Sequence, residues 1–214
     1  MNYTEFKNRA QNLPIIFSRD LMRNQINEQI IRNQLERWHS KKLLIRLRRG
    51  VFLLNQNDRK INPSRTYIAN QLYNPSYVSL EYALNYYGLI PERVADITSV
   101  TTRKTLRLSS EIGTFIYQHI KVDAFSGFRG VKDEAGLLYF IAEPEKAVVD
   151  FLYLNLNKFK KENKEMFEEF YRFQNVETLK SAKIITFAKL FGNNKLMYTS
   201  RLFCKFLKKE GGKK

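Results

Sequence analysis

The side chains best suited to chemistry in this chain are the arginine, lysine, asparagine and glutamine residues between positions 29 and 49. Guanidinium and amide groups can form paired hydrogen bonds to the edges of guanine and adenine, and arginine and lysine also bind phosphate. Five of the nine residues in 41–49 are basic and none is acidic. This pattern predicts contact with double-stranded DNA. The predicted DNA-binding residues are Gln29, Arg32, Asn33, Arg37, Lys41, Lys42, Arg46, Arg48 and Arg49.

The predicted contacts differ along this segment. Arg32 and Arg37 are expected to bind guanine edges or phosphates, and Gln29 and Asn33 are expected to pair with adenine. The arginines of 46–49 are expected to hold the DNA backbone or an adjacent minor groove. The alternative is a solvated basic surface that binds nothing.

One helix and one hairpin must position these side chains. Asn27 is a suitable N-cap, and Ile31, Leu35 and Trp38 have the spacing of a single apolar helix face. The helix is followed by a tight hairpin in 43–54, in which Gly50 can supply the positive φ that the reversal needs. The predicted DNA-binding residues therefore lie on the polar side of the helix and on the hairpin.

The residues before this helix predict the rest of a small domain. A helix is expected in 1–13, ended by Pro14, and a second short helix in 17–22 with Ser18 as its N-cap. Helix, short helix, turn, longer helix and hairpin is the order of a winged helix-turn-helix domain. The polar segment 55–61 is predicted to be a boundary.

The sequence contains no recognisable catalytic motif. His39 and His119 are isolated, and neither has a cysteine or carboxylate at metal-ligand spacing. No phosphate-binding or nucleophile-elbow motif occurs. Glu143 and Glu145 follow a predicted strand, where a nuclease would need a carboxylate spaced one residue from a lysine. Position 144 is proline, so that spacing is absent. The two glutamates are therefore interpreted as first-turn acids of a helix. The prediction is that the protein is not an enzyme and binds no cofactor or metal.

The net charge of +16 is concentrated at the two ends of the chain. Residues 1–60 carry 13 Lys and Arg against 5 Asp and Glu, and residues 151–214 carry 15 against 6. The middle, 61–150, carries 9 against 10. This asymmetry favours a polyanionic partner. The basic residues of the last predicted helix are Arg201, Lys205 and Lys208. Three interpretations are open for them: a second phosphate contact, a membrane-binding surface and a solvated helix face.

Composition and cysteine content predict a folded cytoplasmic protein. Hydrophobic residues make up 43% of the chain, which is typical of a folded protein. The single cysteine, Cys204, excludes an intrachain disulfide and is expected to be a small core residue. No run of about 18 apolar residues occurs and the first residues lack a secretory signal, so no membrane-spanning helix is expected and a membrane surface is the last of the three alternatives for the basic helix.

The remainder of the chain predicts an α+β fold. Strands are expected in 77–78, 97–102, 113–122 and 137–142, a turn in 125–130, and helices in 63–72, 79–88, 144–152, 165–173, 176–191 and 195–209. The predicted organisation is a winged helix-turn-helix domain in 1–58, a mixed α/β domain with a small sheet and a helical last third in 62–209, and a disordered tail in 210–214. The tyrosines of the middle segment have two possible roles, core packing or a surface that binds a partner. They are Tyr67, Tyr73, Tyr77, Tyr82, Tyr86 and Tyr87.

The chain resembles the AbiEi antitoxins of bacterial type IV toxin–antitoxin systems and their orphan regulator relatives. The resemblance covers about residues 15–155, and its more specific pieces are SLEYALNYYGL and AEPEKAVVDFLYL. The other pieces, in the same order as in the family, are LIRLRRGVFLL before them and ITSVTTRKT and GTFIYQHI between them.

The resemblance implies a winged-helix DNA-binding domain followed by a mixed α/β domain. It also implies repression of the protein's own operon through promoter repeats, and a nucleotidyltransferase-type toxin, encoded nearby and counteracted without a stable complex. The protein would be a monomer or weak dimer on DNA. An orphan regulator would have the same sequence features, and a protein-interaction module that neutralises a toxin is the alternative. The family's DNA contacts correspond to Arg32, Asn33, Arg37, Arg48 and Arg49.

Overall fold

Helices and two separate sheets make this an α+β protein, as the sequence predicts. The computed structural model describes residues 2–22, 28–159, 167 and 171–211. The N-terminal elements are α1 (Tyr3–Ala10), β1 (Ile16–Phe17), α2 (Ser18–Met22), α3 (Glu28–Ser40), β2 (Leu44–Arg48) and β3 (Val51–Leu54). The following elements are α4 (Arg65–Leu72), β4 (Ser76–Val78), α5 (Leu80–Tyr86), β5 (Ile97–Thr101), β6 (Leu106–Ser110), β7 (Gly113–His119), β8 (Phe128–Lys132), β9 (Leu138–Ala142), α6 (Pro144–Leu154), α7 (Ser181–Leu190) and α8 (Asn194–Gly211), with 3₁₀ turns at Val122–Ala124 and Val176–Thr178.

A three-stranded antiparallel sheet of order β1-β3-β2 organises the N-terminal part. Gly50 has a φ of +74° and closes the β2–β3 turn, where a side chain would be strained. The pairing shifts between Arg46 and Arg48, so Leu47 forms a bulge. Helices α1 and α3 pack together beside the sheet, with the rings of Phe6 and Trp38 stacked at 4.6 Å between centroids.

A six-stranded mixed sheet of order β6-β7-β5-β4-β9-β8 organises the rest. The pairs β4–β9 and β5–β7 are parallel, and the others are antiparallel. The strand register places the buried Tyr77 and Tyr117 on opposite faces. Tyr77 donates a hydrogen bond to Asp150 on α6, and Tyr117 donates one to the carbonyl of Ala69 on α4. Helices therefore cover both faces of this sheet.

Two hydrophobic cores meet at the β2–β3 hairpin. Leu44, Phe52 and Leu54 belong to the small core between the N-terminal sheet and helices α1 and α3. The alternate residues of the hairpin belong instead to the large core that surrounds the six-stranded sheet. Both faces of the hairpin are therefore buried, which the alternating pattern of a half-exposed strand would not produce. The N-terminal residues in the large core are Ile15, Leu47, Val51 and Leu53.

Several predicted elements differ in the structure. The strands β1 and β6 were not predicted, and β8 begins inside 125–130, which was predicted to be a turn. The apolar run 137–142 predicts a buried strand, but Leu138 and Phe140 of β9 are 51% and 40% exposed. The single helix predicted over 176–191 is a 3₁₀ turn followed by α7.

Other expectations concern the ends of helices. The predicted N-cap Asn27 and most of the helix predicted at 165–173 lie outside the described residues. Helix α8 ends at Gly211, so it extends two residues into the predicted tail. Gly88, with a φ of +67°, ends α5 as predicted. No helix in the described part of the chain combines the length and apolar character needed to cross a bilayer.

The tyrosines of the middle segment mostly pack in the core. Tyr77 is completely buried, and Tyr86 is 47% exposed. The core-packing interpretation is therefore confirmed for all of them except Tyr86. The partly buried members that pack against the large core are Tyr67, Tyr73, Tyr82 and Tyr87.

Candidate nucleic-acid interface

Helix α3 presents a polar face on the side opposite its buried stripe. Ile31, Leu35 and Trp38 are buried as predicted, which leaves the residues between them on the surface. The amide of Gln29 donates a hydrogen bond to the Asn33 side-chain oxygen at 2.9 Å. The predicted DNA-binding residues of this helix that are exposed are Gln29, Arg32, Asn33 and Arg37.

Charged partners hold some of these side chains in place. Arg32 forms an ion pair with Glu28, one helical turn earlier, at 2.9 Å. Arg37 makes no ion pair with any residue that the structure describes. Within the described part of α3, Arg37 is therefore the guanidinium that DNA could bind without breaking an existing ion pair.

A tight turn carries the chain from α3 into β2 and presents two lysines. The Leu43 amide donates to the Trp38 carbonyl and the Lys42 amide donates to the His39 carbonyl, which is the hydrogen-bond pattern of a Schellman motif. Lys42 has a φ of +58° in the position that glycine usually occupies. Lys41 and Lys42 are both exposed, so this turn continues the basic surface from the helix toward the hairpin.

Arg46 connects the hairpin to the helix. Its guanidinium forms an ion pair with Glu36 of α3 and lies over the Phe52 ring, 5.8 Å from the centroid. The Nε atom is buried and has no hydrogen-bond partner among the described residues. Arg46 is thus placed beside α3, at the edge of the exposed face of that helix.

Arg48 and Arg49 lie at the tip of the hairpin, and both are exposed. The carbonyl of Gly50 accepts a hydrogen bond from the Ser18 amide at 2.9 Å, which fixes the tip beside the start of α2. Burial raises the pKa of Tyr117, and the positive charge of Arg48 opposes that shift. Strand β2, which carries Arg48, packs against β6 of the large sheet.

The predicted basic residues of α8 form a separate surface. Arg201, Lys205 and Lys208 are exposed, while Leu196 and Phe203 on the opposite side are buried. The main packing partners of α8 are α6, α7 and the 3₁₀ turn at Val176–Thr178, not the N-terminal elements. The three residues are available to solvent, but no extensive packing joins their helix to α3.

Potential catalytic residues remain apart in the part of the chain that the structure describes. The Nδ1 atoms of His39 and His119 are within 3.1 Å and 3.0 Å of the carbonyl oxygens of Leu44 and Arg103. Cys204 is buried, and burial raises the pKa of its thiol. No group of three or more His, Cys, Asp and Glu residues with metal-binding geometry occurs among the described residues.

The two acids at the start of α6 connect it to α7. Glu145 is buried, and its carboxylate accepts a hydrogen bond from the Lys180 amide at 3.1 Å. Glu143 forms an ion pair with Lys183. Both carboxylates thus lie near the N-terminal end of α7 as well as in or beside the first turn of α6, where helix dipoles favour negative charge.

A buried polar cluster between α6 and the large sheet was missed at the sequence level. Lys146 and Asp150 form an ion pair, and both side chains are 0% exposed. Asp150 also accepts hydrogen bonds from Tyr77 at 3.0 Å and Ser79 at 2.8 Å, and Lys146 donates to the Tyr77 oxygen at 2.8 Å. The spacing of a lysine and an aspartate four residues apart on an apolar helix was the available signal.

Burial affects both charges of this cluster. It raises the pKa of Asp150 and lowers the pKa of Lys146, and the ion pair counteracts each shift because each charge stabilises the other. Every donor and acceptor of the cluster comes from the protein, and no member is exposed. The cluster therefore holds α6 against β4.

Comparison of the chain with models of known protein families and with curated proteins found no match. The functional argument accordingly depends on the residues and their geometry. The feature with the clearest chemistry is the exposed face of α3 together with the basic turn and hairpin that follow it.

Proposed function

We propose that this protein is a sequence-selective DNA-binding transcriptional regulator with an N-terminal winged helix-turn-helix domain. The observation that carries the proposal is that α3 exposes a face of arginine and amide side chains and is followed directly by a basic hairpin. The element order helix, strand, helix, helix, strand, strand and the three-stranded antiparallel sheet support the winged-helix assignment.

In the proposed complex, α3 enters the major groove. Residues near the N-terminus of such a helix approach the base edges, which places Gln29 and Asn33 there. The hydrogen bond between these two side chains restricts the Asn33 amide before DNA binds, which reduces the conformational entropy lost in the complex. Arg37 and the lysines of the following turn would contact phosphates, as would Arg49 at the hairpin tip.

The biological role that we propose is an antitoxin or orphan regulator of the AbiEi type that represses its own operon in the cytoplasm. Support for this comes from the resemblance described above, including the pieces that contain Ser79, Lys146 and Asp150 of the buried cluster. A nucleotidyltransferase-type toxin encoded nearby would be its partner. Identification of the neighbouring gene would separate the antitoxin from the orphan regulator.

A protein-interaction module that neutralises a toxin is the second candidate function. The observation that favours it is the apolar surface on β9, where Leu138 and Phe140 are exposed next to the edge strand β8. Edge strands with exposed apolar side chains can bind another chain. In this alternative the basic face of α3 would not bind specific DNA.

A titration of the purified protein with labelled DNA from upstream of its own gene tests the primary proposal. We expect the logarithm of the binding constant to fall linearly with the logarithm of salt concentration, because phosphate contacts release counterions. Arg49→Ala should weaken binding to all sequences about equally. Asn33→Ala should weaken binding and also reduce discrimination at one base position.

Arg93→Ala is the matched control, because Arg93 is an exposed arginine on the loop between α5 and β5, outside the proposed surface. It removes one positive charge and should leave affinity and selectivity close to those of the parent. Absence of binding to the upstream DNA even at low salt would contradict the proposed function. Equal effects of Arg49→Ala and Arg93→Ala would contradict the assigned role of the hairpin tip.

A further inference from the structure

Helix α3 carries one apolar side chain on its polar face. Ile30 is 54% exposed, although Ile31 next to it is buried in the small core. At helical spacing Ile30 lies on the same stripe as Asn33 and Arg37, three and seven residues further on. The stripe that is proposed to face the major groove therefore begins with a branched aliphatic group and continues with an amide and a guanidinium.

The major groove contains one apolar group on its base edges that suits such a side chain. This group is the C5-methyl of thymine, and its neighbour on the same base is the O4 acceptor. Ile30 is near the N-terminus of α3, the part of a recognition helix that approaches the bases most closely. A β-branched side chain also has few rotamers to lose when it is fixed against a methyl group.

Asn33 supplies the polar half of this contact. Its side-chain oxygen accepts the hydrogen bond from Gln29, so its NH₂ group is the part oriented by that bond for donation to another acceptor. The O4 atom of thymine and the N7 atom of its paired adenine are both acceptors in the major groove. Ile30 and Asn33 are one helical turn apart, which matches adjacent apolar and acceptor groups on one base pair.

We propose that Ile30 determines specificity by contacting the C5-methyl group of a thymine, at a base pair whose acceptor is bound by Asn33. The inference depends on the proposed DNA-binding function and adds the identity of a base that the protein selects. It also explains why an aliphatic side chain is exposed among residues that are otherwise polar. A contact of Ile30 with a second copy of the chain is the competing explanation, and the experiment separates the two.

The test replaces thymine by uracil, which removes only the methyl group and leaves the hydrogen-bonding edge unchanged. Full-length protein is titrated with the upstream duplex and with duplexes that carry uracil at one thymine position at a time. We expect about a three- to fivefold loss of affinity at one position of the binding site, as the loss of one buried methyl group would produce. Ile30→Ala should lower affinity for the thymine duplex by a similar factor and abolish the difference between thymine and uracil.

Val122→Ala is the matched control, because Val122 is a β-branched residue that is 72% exposed in a 3₁₀ turn outside the proposed surface. This variant should keep both the affinity and the preference for thymine. Circular dichroism and the elution volume of all three proteins show whether folding or oligomeric state changes.

The possible outcomes distinguish the inference from the function on which it rests. If the protein binds its upstream DNA but no uracil substitution changes affinity, or if Ile30→Ala keeps the preference for thymine, the inference is overturned and DNA binding stands. A change of oligomeric state in Ile30→Ala without loss of the preference would assign Ile30 to a contact between copies. If the unaltered protein binds no DNA at low salt, both the inference and the proposed function are overturned.

Discussion

At the scale of single residues, the buried ion pair of Lys146 and Asp150 contributes strongly to stability. Removing one partner of a buried ion pair leaves a charge without compensation in a region that excludes water. Asp150 additionally satisfies the hydroxyl groups of Tyr77 and Ser79. The stability of the contact between α6 and the large sheet therefore depends on this carboxylate.

We predict that Asp150→Ala lowers the free energy of unfolding by about 3–5 kcal/mol. Combining it with Lys146→Met should recover part of this loss, because no unpaired ammonium group then remains in the core. Urea unfolding followed by circular dichroism is measured for both single variants, Asp150→Ala and Lys146→Met, and for the double variant. A double variant whose loss equals the sum of the two single losses would show that the pair is not energetically coupled.

Two serines show the limit of predictions from local sequence patterns. Ser64 and Ser79 both precede a helix, and both are in N-cap positions. Ser64 caps α4 through its hydroxyl as expected, whereas the hydroxyl of Ser79 donates to Asp150, which is 71 residues away. A preference based on neighbouring residues predicts the cap but contains no information about such a distant partner.

At the scale of elements, the amphipathic helices could be predicted because their apolar spacing is regular over several turns. The buried stripe of α3 and the predicted DNA-binding residues on its outer face follow from the same periodicity. Strands β6 and β8 gave weaker signals. Strand β6, LRLSS, is poor in β-branched residues, and β8 contains Gly130, so local composition favoured a turn although pairing with β7 and β9 forms strands.

The segment 55–61 was predicted to be a boundary, and in the structure it is fastened to α1. Asp58 accepts hydrogen bonds from Lys7 at 2.8 Å and from the Tyr3 hydroxyl at 2.7 Å, and the Lys60 amide donates to the Gln11 carbonyl. The hydrogen bond from Lys7, followed by that from Tyr3, lowers the pKa of Asp58. The segment therefore contributes to the stability of the N-terminal part.

We predict that Asp58→Asn destabilises the protein at pH 7 by about 1–2 kcal/mol, the range of a partly exposed hydrogen-bonded charge. Because the pKa of Asp58 is lower in the folded state, its contribution is present above the unfolded pKa and is lost as the pH falls through the folded value. The difference in unfolding free energy between Asp58→Asn and the parent should therefore shrink below about pH 4. Glu134→Gln, an exposed acid between β8 and β9, is the control. A difference that stayed constant down to pH 2.5 would contradict this role.

At the scale of the whole molecule, the β2–β3 hairpin is shared by two cores. One face packs against α1 and α3, and the other packs into the core of the large sheet. The sequence predicted a division into 1–58 and 62–209, with the hairpin as part of a separate N-terminal domain. It could not predict the second burial, because Leu47, Val51 and Leu53 could equally have been exposed hairpin residues.

We predict that a fragment of residues 1–61 is much less soluble than the full chain, because it exposes the apolar side of the hairpin. Replacing Leu47 and Leu53 by serine in the fragment should restore solubility, since both side chains belong to the large core. Replacing Leu54, which belongs to the small core, should unfold it instead. Solubility and thermal unfolding of the three fragments measure this. A soluble unmodified fragment that unfolds at the same temperature as the full chain would contradict the shared role of the hairpin.

In the proposed complex with DNA, the ion pairs Arg32–Glu28 and Arg46–Glu36 would change how binding responds to ions in solution. An arginine without an ion-pair partner exchanges mobile anions of the solvent for phosphate when it binds DNA. These two arginines are instead paired with a glutamate side chain of the same protein. Binding to phosphate would replace a carboxylate that cannot diffuse away, and that carboxylate would then repel the DNA. Binding would therefore displace fewer ions than the number of basic side chains on the surface suggests.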